Sequence, residues 1–221
     1  MTNSNIEILE KLSKAAVQAD REEACINLIA VSKQQPEERI ENSLAFGQRI
    51  FGENRVQEAF QRWQRRKSFY PDLELHLIGP LQSNKAADAV ALFDVIHTVD
   101  RPKIALALSR EMASAQRTLP CFIQVNTGEE EQKAGILPHE LNTFLSFCRK
   151  EAGLQIVGLM CIPPIDEEPA LHFALLKTLA ERHELVQLSM GMSADFETAI
   201  LFGATHIRVG SAFFGSRPTP G

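Results

Sequence analysis

Apolar residues along the chain follow two alternating spacings. Ile6, Leu9, Leu12 and Ala16 share one face at helical period, and Ser4-x-x-Glu7 has the spacing of a capping box. Residues 1–20 are therefore predicted to hold an N-terminal helix. Residues 26–32 form a short run with little polar alternation, as expected of a parallel strand covered on both faces. The same grammar then recurs. Residues 36–46 read as a helix, with Pro36 near its start and Gly47 at its stop. Residues 54–67 place Val56, Ala59, Phe60 and Trp63 on one face. Further helices are predicted from about 84 and over 101–117, 138–150, 168–184 and 194–202. Strands are predicted over 49–52, 74–78, 94–98, 121–125, 155–160, 186–190 and 206–209. About eight strands alternating with helices predict a (β/α)8 barrel rather than a smaller doubly wound sheet, although the chain is compact for one. No linker marks a second domain, so 1–221 are read as one barrel domain with the first helix packed on it.

Composition narrows the function. The 221 residues are 44% hydrophobic and 23% charged, and 23 Lys and Arg against 28 Asp and Glu leave a net charge of −5. A basic nucleic-acid surface is not expected. The run Arg62, Arg65, Arg66, Lys67 reads as a cationic last turn that complements its helix dipole. No apolar stretch is long enough for a membrane span and no signal peptide is apparent, which predicts a cytoplasmic protein. Cys25, Cys121, Cys148 and Cys161 form no C-x-x-C pair and mostly lie in apolar stretches, as reduced core thiols would. The six histidines show no ligand spacing, so no metal site is expected.

In such barrels the chemistry gathers at the C-terminal ends of the strands. Lys33 follows the first apolar strand directly, where partial desolvation would lower its pKa and free its amine to form a Schiff base with an aldehyde. The alternative is a rim lysine paired with a carboxylate. Ser189-Met-Gly-Met-Ser193 and Arg208-Val-Gly-Ser211 each run from strand through glycine and hydroxyl to a helix start, where backbone N–H groups approach an anion. The last two βα loops are a common phosphate site in barrels. A phosphate clamp beside an aldehyde-reactive amine is what pyridoxal 5'-phosphate (PLP) requires.

Eight segments spread over nearly the whole chain carry a resemblance. They are Ala30-Val-Ser-Lys33, Phe51-Gly-Glu-Asn54, His76-Leu-Ile-Gly-Pro-Leu-Gln-Ser-Asn-Lys85, Gln124-Val-Asn126, Lys133-Ala-Gly135, Gly158-Leu-Met160, Ser189-Met-Gly-Met-Ser-Ala-Asp195 and Ile207-Arg-Val-Gly210. In that order they resemble the pyridoxal phosphate homeostasis proteins, the YggS/PROSC family, and most closely a bacterial member. The resemblance implies a barrel of the alanine racemase N-terminal type with PLP held as an imine on Lys33. It further implies phosphate contacts from Ser193, Gly210 and Ser211 and from the Met192 backbone. Arg208 is then expected to face the pyridine nitrogen, with Asn54 and Met160 lining the ring.

An arginine at that nitrogen stays protonated and makes the ring a weak electron sink. The resemblance implies that racemases of this type add a C-terminal β-domain and a dimer partner. Here the chain stops shortly after its last strand, and its one tyrosine, Tyr70, is predicted on the loop after the 54–67 helix. These features predict a monomeric cofactor carrier without turnover, one that limits free PLP and hands it to apoenzymes. A low-activity amino-acid racemase is the alternative, and an interaction protein sensing cofactor occupancy is a third reading. His76 and His97 are read as satisfied strand histidines, Asp195 as a helix cap, and Phe213 and Phe214 as packing the barrel bottom or sealing the last helix.

Overall fold

The computed structural model describes residues 3–215. It opens with α1 (Asn3–Gln18), the predicted N-terminal helix. A short 3-10 turn leads to β1 (Asn27–Val31), followed by α2 (Glu37–Phe46), β2 (Ile50–Glu53), α3 (Val56–Phe69) and β3 (Glu74–Leu77). Next come α4 (Ala86–Leu92), β4 (Val95–Val99), α5 (Pro102–Ala115), β5 (Cys121–Gln124), α6 (Leu141–Lys150) and β6 (Ile156–Met160). The chain completes with α7 (Pro169–Arg182), β7 (Gln187–Met192), α8 (Phe196–Leu201), β8 (His206–Val209) and α9 (Ser211–Phe214). All eight strands pair in parallel and in sequence order, and β8 closes onto β1 with Ala30 opposite Val209. The predicted barrel is the observed one.

The strands are short and almost wholly buried because helices cover their outer faces, which is why they lack polar alternation. The helices lay amphipathic faces against them. In α3, Val56, Ala59 and Trp63 point inward, and Trp63 is packed 4.6 Å from Phe51 of β2. The α1 helix packs on α8 and α9, next to the barrel seam. Phe213 and Phe214 are buried edge to face at 5.0 Å within α9, which follows the C-terminal end of β8. They therefore seal this last helix rather than the barrel bottom.

The barrel interior is partly polar. His76 on β3, His97 on β4, Ser189 on β7, and His206 and Arg208 on β8 are all buried. His97 bonds Ser189, although β4 and β7 are not neighbouring strands, so this contact crosses the inside of the barrel. His97 stacks on Phe122 of β5 at 4.4 Å, and Phe122 in turn packs with Val95 and Met160.

Candidate functional site

Lys33 lies one residue past the buried Ser32, in a tight turn after β1. Gln34 takes the left-handed conformation, with φ 58°, and Gln35 N–H bonds back to the Ser32 carbonyl at 3.1 Å. This turn has a clamp. Arg62, from the middle of α3, donates to the Ser32 carbonyl at 2.7 Å and the Gln35 carbonyl at 3.2 Å. It also reaches Glu53 at 3.1 Å and Glu37 at 3.0 Å. The Glu53 side chain is fully buried at the tip of β2, and its Oε1 additionally accepts from Ser32 Oγ at 2.7 Å and Trp63 Nε1 at 3.0 Å. The arginine read from sequence as part of a cationic last turn is thus an internal brace of the Lys33 turn.

The neighbouring strand tips carry the other expected residues. Because β1 pairs with β8, and Met192 of β7 stands opposite Arg208, the turns bearing Lys33, Gly210 and Ser193 lie side by side. Gly191, at φ 91°, shapes the approach to Ser193, and a Cβ there would stand 2.6 Å from the Ala199 methyl. Ser193 Oγ accepts long bonds from the Gly210 and Ala212 amides, at 3.3 and 3.5 Å. Ser211 is exposed beside them. The Met192 amide, expected to face a phosphate, instead donates to Asp195 Oδ1 at 2.5 Å and so is already satisfied. That bond also draws the Asp195 carboxylate away from capping: it stands at the N-cap of α8 without a side-chain cap bond.

Arg208 is fully buried, donating to Ser189 Oγ at 2.7 Å and the Cys161 carbonyl at 2.8 Å. Among the described residues it has no carboxylate partner. Burial lowers its pKa from the ordinary arginine value, yet a guanidinium stays protonated. Met160, the last residue of β6, is fully buried against Val95 and Phe122. Asn54 follows β2 half-buried, and its Oδ1 has no hydrogen-bond partner. Gly79 lets β3 pass close to Asn54, where a Cβ would lie 2.2 Å from the Asn54 carbonyl oxygen.

The residues fit the phosphorylated aldehyde expected from sequence in three respects. The two amides facing Ser193 Oγ are held by long bonds that a stronger acceptor could replace. The buried guanidinium rests on neutral partners, and an amide oxygen is left unpaired near the mouth. Residues 6–218 match the family described as alanine racemase, N-terminal domain. The pyridoxal phosphate homeostasis protein of Vibrio cholerae is 40% identical, over 96% of this chain and 95% of that protein. The protein of the same name from Aquifex aeolicus is 36% identical over 95% of each.

The chain belongs to the pyridoxal phosphate homeostasis protein family. Among solved structures, PipY of Synechococcus elongatus without PLP is 39% identical and superposes with a TM-score of 0.82, over 92% of this chain and 99% of that one. PipY with PLP bound is 38% identical with a TM-score of 0.78, over 93% and 100%. Alanine racemase of Clostridium difficile shares the fold at a TM-score of 0.73, with 13% identity over 98% of this chain and 58% of that one.

The sequence reading missed the Glu53–Arg62–Trp63 brace. One signal was available: an acidic residue ending the otherwise apolar strand Ile50–Glu53 needs a buried partner, and Arg62 and Trp63 stand on the helix that follows. Cys25 is exposed, not in the core, whereas Cys121, Cys148 and Cys161 are buried and unpaired.

Proposed function

We propose that this chain is a reversible PLP carrier, with Lys33 as the covalent attachment point, Ser193, Gly210 and Ser211 as the phosphate grip, and Arg208 facing the ring nitrogen. Asn54 and Met160 line the ring in this reading. The observation that carries it is the adjacency, across the β1–β8 seam, of the braced Lys33 turn and the two amides that converge on Ser193 Oγ. Relatives named pyridoxal phosphate homeostasis proteins, and PipY solved with PLP bound, point the same way.

When bound, PLP supplies an aldehyde and an electron-accepting ring. Arg208 can only donate, so it does not keep a proton on a ring nitrogen as a carboxylate would, and the electron sink stays weak. Gly210 and Ala212 offer neutral backbone donors to an anion. Tyr70 ends α3 beside Arg49, at the barrel face opposite Lys33, and the chain has no other tyrosine to act as a second acid there. These features favour holding the cofactor over turning it in a reaction. The same reading takes the protein as a cytoplasmic monomer of one barrel domain that supplies apoenzymes. Its four unpaired cysteines agree with a reducing compartment.

Borohydride treatment of PLP-loaded protein followed by peptide mapping tests the proposal. Modification at Lys33, lost in a folded Lys33→Ala variant, is the expected result, and modification elsewhere would overturn the assignment. Lys33-dependent loss of alanine α-deuterium at an enzymatic rate would make the protein a racemase instead.

A further inference from the structure

Inside the barrel, an unbranched chain of polar groups leads away from Arg208. Its Nη1 donates to Ser189 Oγ at 2.7 Å, and Ser189 Oγ lies 2.8 Å from His97 Nδ1. His97 Nε2 lies 2.8 Å from His76 Nδ1, and His76 Nε2 lies 2.8 Å from Glu74 Oε1. Ser189, His97 and His76 are fully buried, whereas Glu74 opens β3 at the N-terminal face of the barrel and is half-exposed. One end of this chain is thus the arginine proposed to face the ring, and the other reaches the opposite face.

The two ends fix its direction. A guanidinium has only donors, so the Ser189 oxygen accepts from Arg208 and gives its own proton to His97 Nδ1. His97 then carries its proton on Nε2 and donates it to His76 Nδ1, and His76 donates from Nε2 to Glu74. With both rings neutral, a carboxylate that can only accept closes off the reverse order. The His76 bond holds the Glu74 carboxyl below the usual carboxylate range, and Lys67 and His206 also face it. Burial, followed by the facing His76, His206 and Arg208, pushes His97 well below the usual imidazole value and keeps it neutral. His206, whose ring lies 5.9 Å from that of His76 and 5.8 Å from that of His97, bonds Asn27 and Thr205 and stands outside the chain.

We infer that Glu74, His76, His97 and Ser189 are positioning residues for Arg208, forming a one-way hydrogen-bonded relay that fixes the guanidinium from the far side of the barrel. The inference rests on the reading of Arg208 as the residue facing the cofactor ring. Two acceptors, Ser189 Oγ and the Cys161 carbonyl, set the guanidinium plane. Ser189 can serve as one of them without stranding its own buried proton only while His97 accepts that proton, and His97 can do so only while its Nε2 proton is taken up by His76.

Nitrogen-15 spectra of labelled histidines in the full-length protein without PLP test the direction. His76 and His97 are expected as neutral rings protonated at Nε2, and a charged ring or an Nδ1-protonated form at either would overturn the relay. Glu74→Gln, at a half-exposed position, places an amide that can also donate at the end of the relay. It is expected to introduce the opposite tautomers, and unchanged rings would refute the carboxylate as the lock. Ser189→Ala should weaken PLP binding about tenfold, with Ser189→Thr recovering most of the loss, and unaltered affinity in Ser189→Ala would refute the positioning role. If wild-type protein fails to hold PLP at Lys33, the site reading falls, while the histidine spectra still decide the relay.

Discussion

Replacing Arg62 by methionine tests the brace behind Lys33. The substitution keeps much of the aliphatic stem and removes bonds to two backbone carbonyls, Glu53 and Glu37. Its main effect should arise at Glu53, whose side chain is fully buried while that of Arg62 is only 16% exposed. Removing one partner of a buried ion pair costs about 3–5 kcal/mol because the other charge is left uncompensated, whereas an exposed pair is worth about 0–1 kcal/mol. The structure therefore predicts a loss near the larger range, and the cationic-last-turn reading predicts one near the smaller. Urea unfolding of wild type, Arg62→Met, Glu53→Gln and the double variant measures it. The double variant should be more stable than additivity of the single losses allows, by about 0.5–3 kcal/mol. Amides of the turn carrying Lys33 should also exchange faster in Arg62→Met. A loss below about 1 kcal/mol with additive single effects would refute the brace.

Three further outcomes follow from the geometry. Ser193→Ala with Ser211→Ala should weaken PLP much more than phosphate-free pyridoxal in equilibrium titrations, and equal losses would place the phosphate elsewhere. Burial pushes His206 down to about 3 from an unfolded value near 6.5. Between those values the unfolded chain binds a proton that the folded one does not, so His206 should make stability fall as pH drops below about 6.5, by at most roughly 1.4 kcal/mol per pH unit, and His97 adds a slope of the same sign. Urea midpoints between pH 7 and 5 should show this slope, flattened in His206→Gln, and equal slopes in the two proteins would refute it. Cys25, exposed, should react with a thiol reagent in native protein, while Cys121, Cys148 and Cys161, pushed up to about 12 by burial, should react only on unfolding.

Periodicity made the architecture legible because each strand is a short apolar run and each helix an amphipathic one. The ends of elements were less so. The 54–67 helix begins only at Val56, since Arg55 is extended at φ −129° and ψ 125°. Residues 138–140 form a 3-10 turn ahead of α6, and β7 runs on to Met192 through Gly191. The strand-tip residues of the site were readable because a barrel presents its loops in sequence order. Long-range pairings were not. Nothing local ties His97 to Ser189 across the barrel or Arg208 to the Cys161 carbonyl. Each depends on which side chains the closed sheet turns inward.

The lysine and the amides beside it come from the first and last strands, which meet only when the sheet closes on itself. On the proposed assignment, the nascent chain completes its cofactor site only when the final strand has left the ribosome. In the proposed carrier, any opening along that join would part the amine from the anion grip.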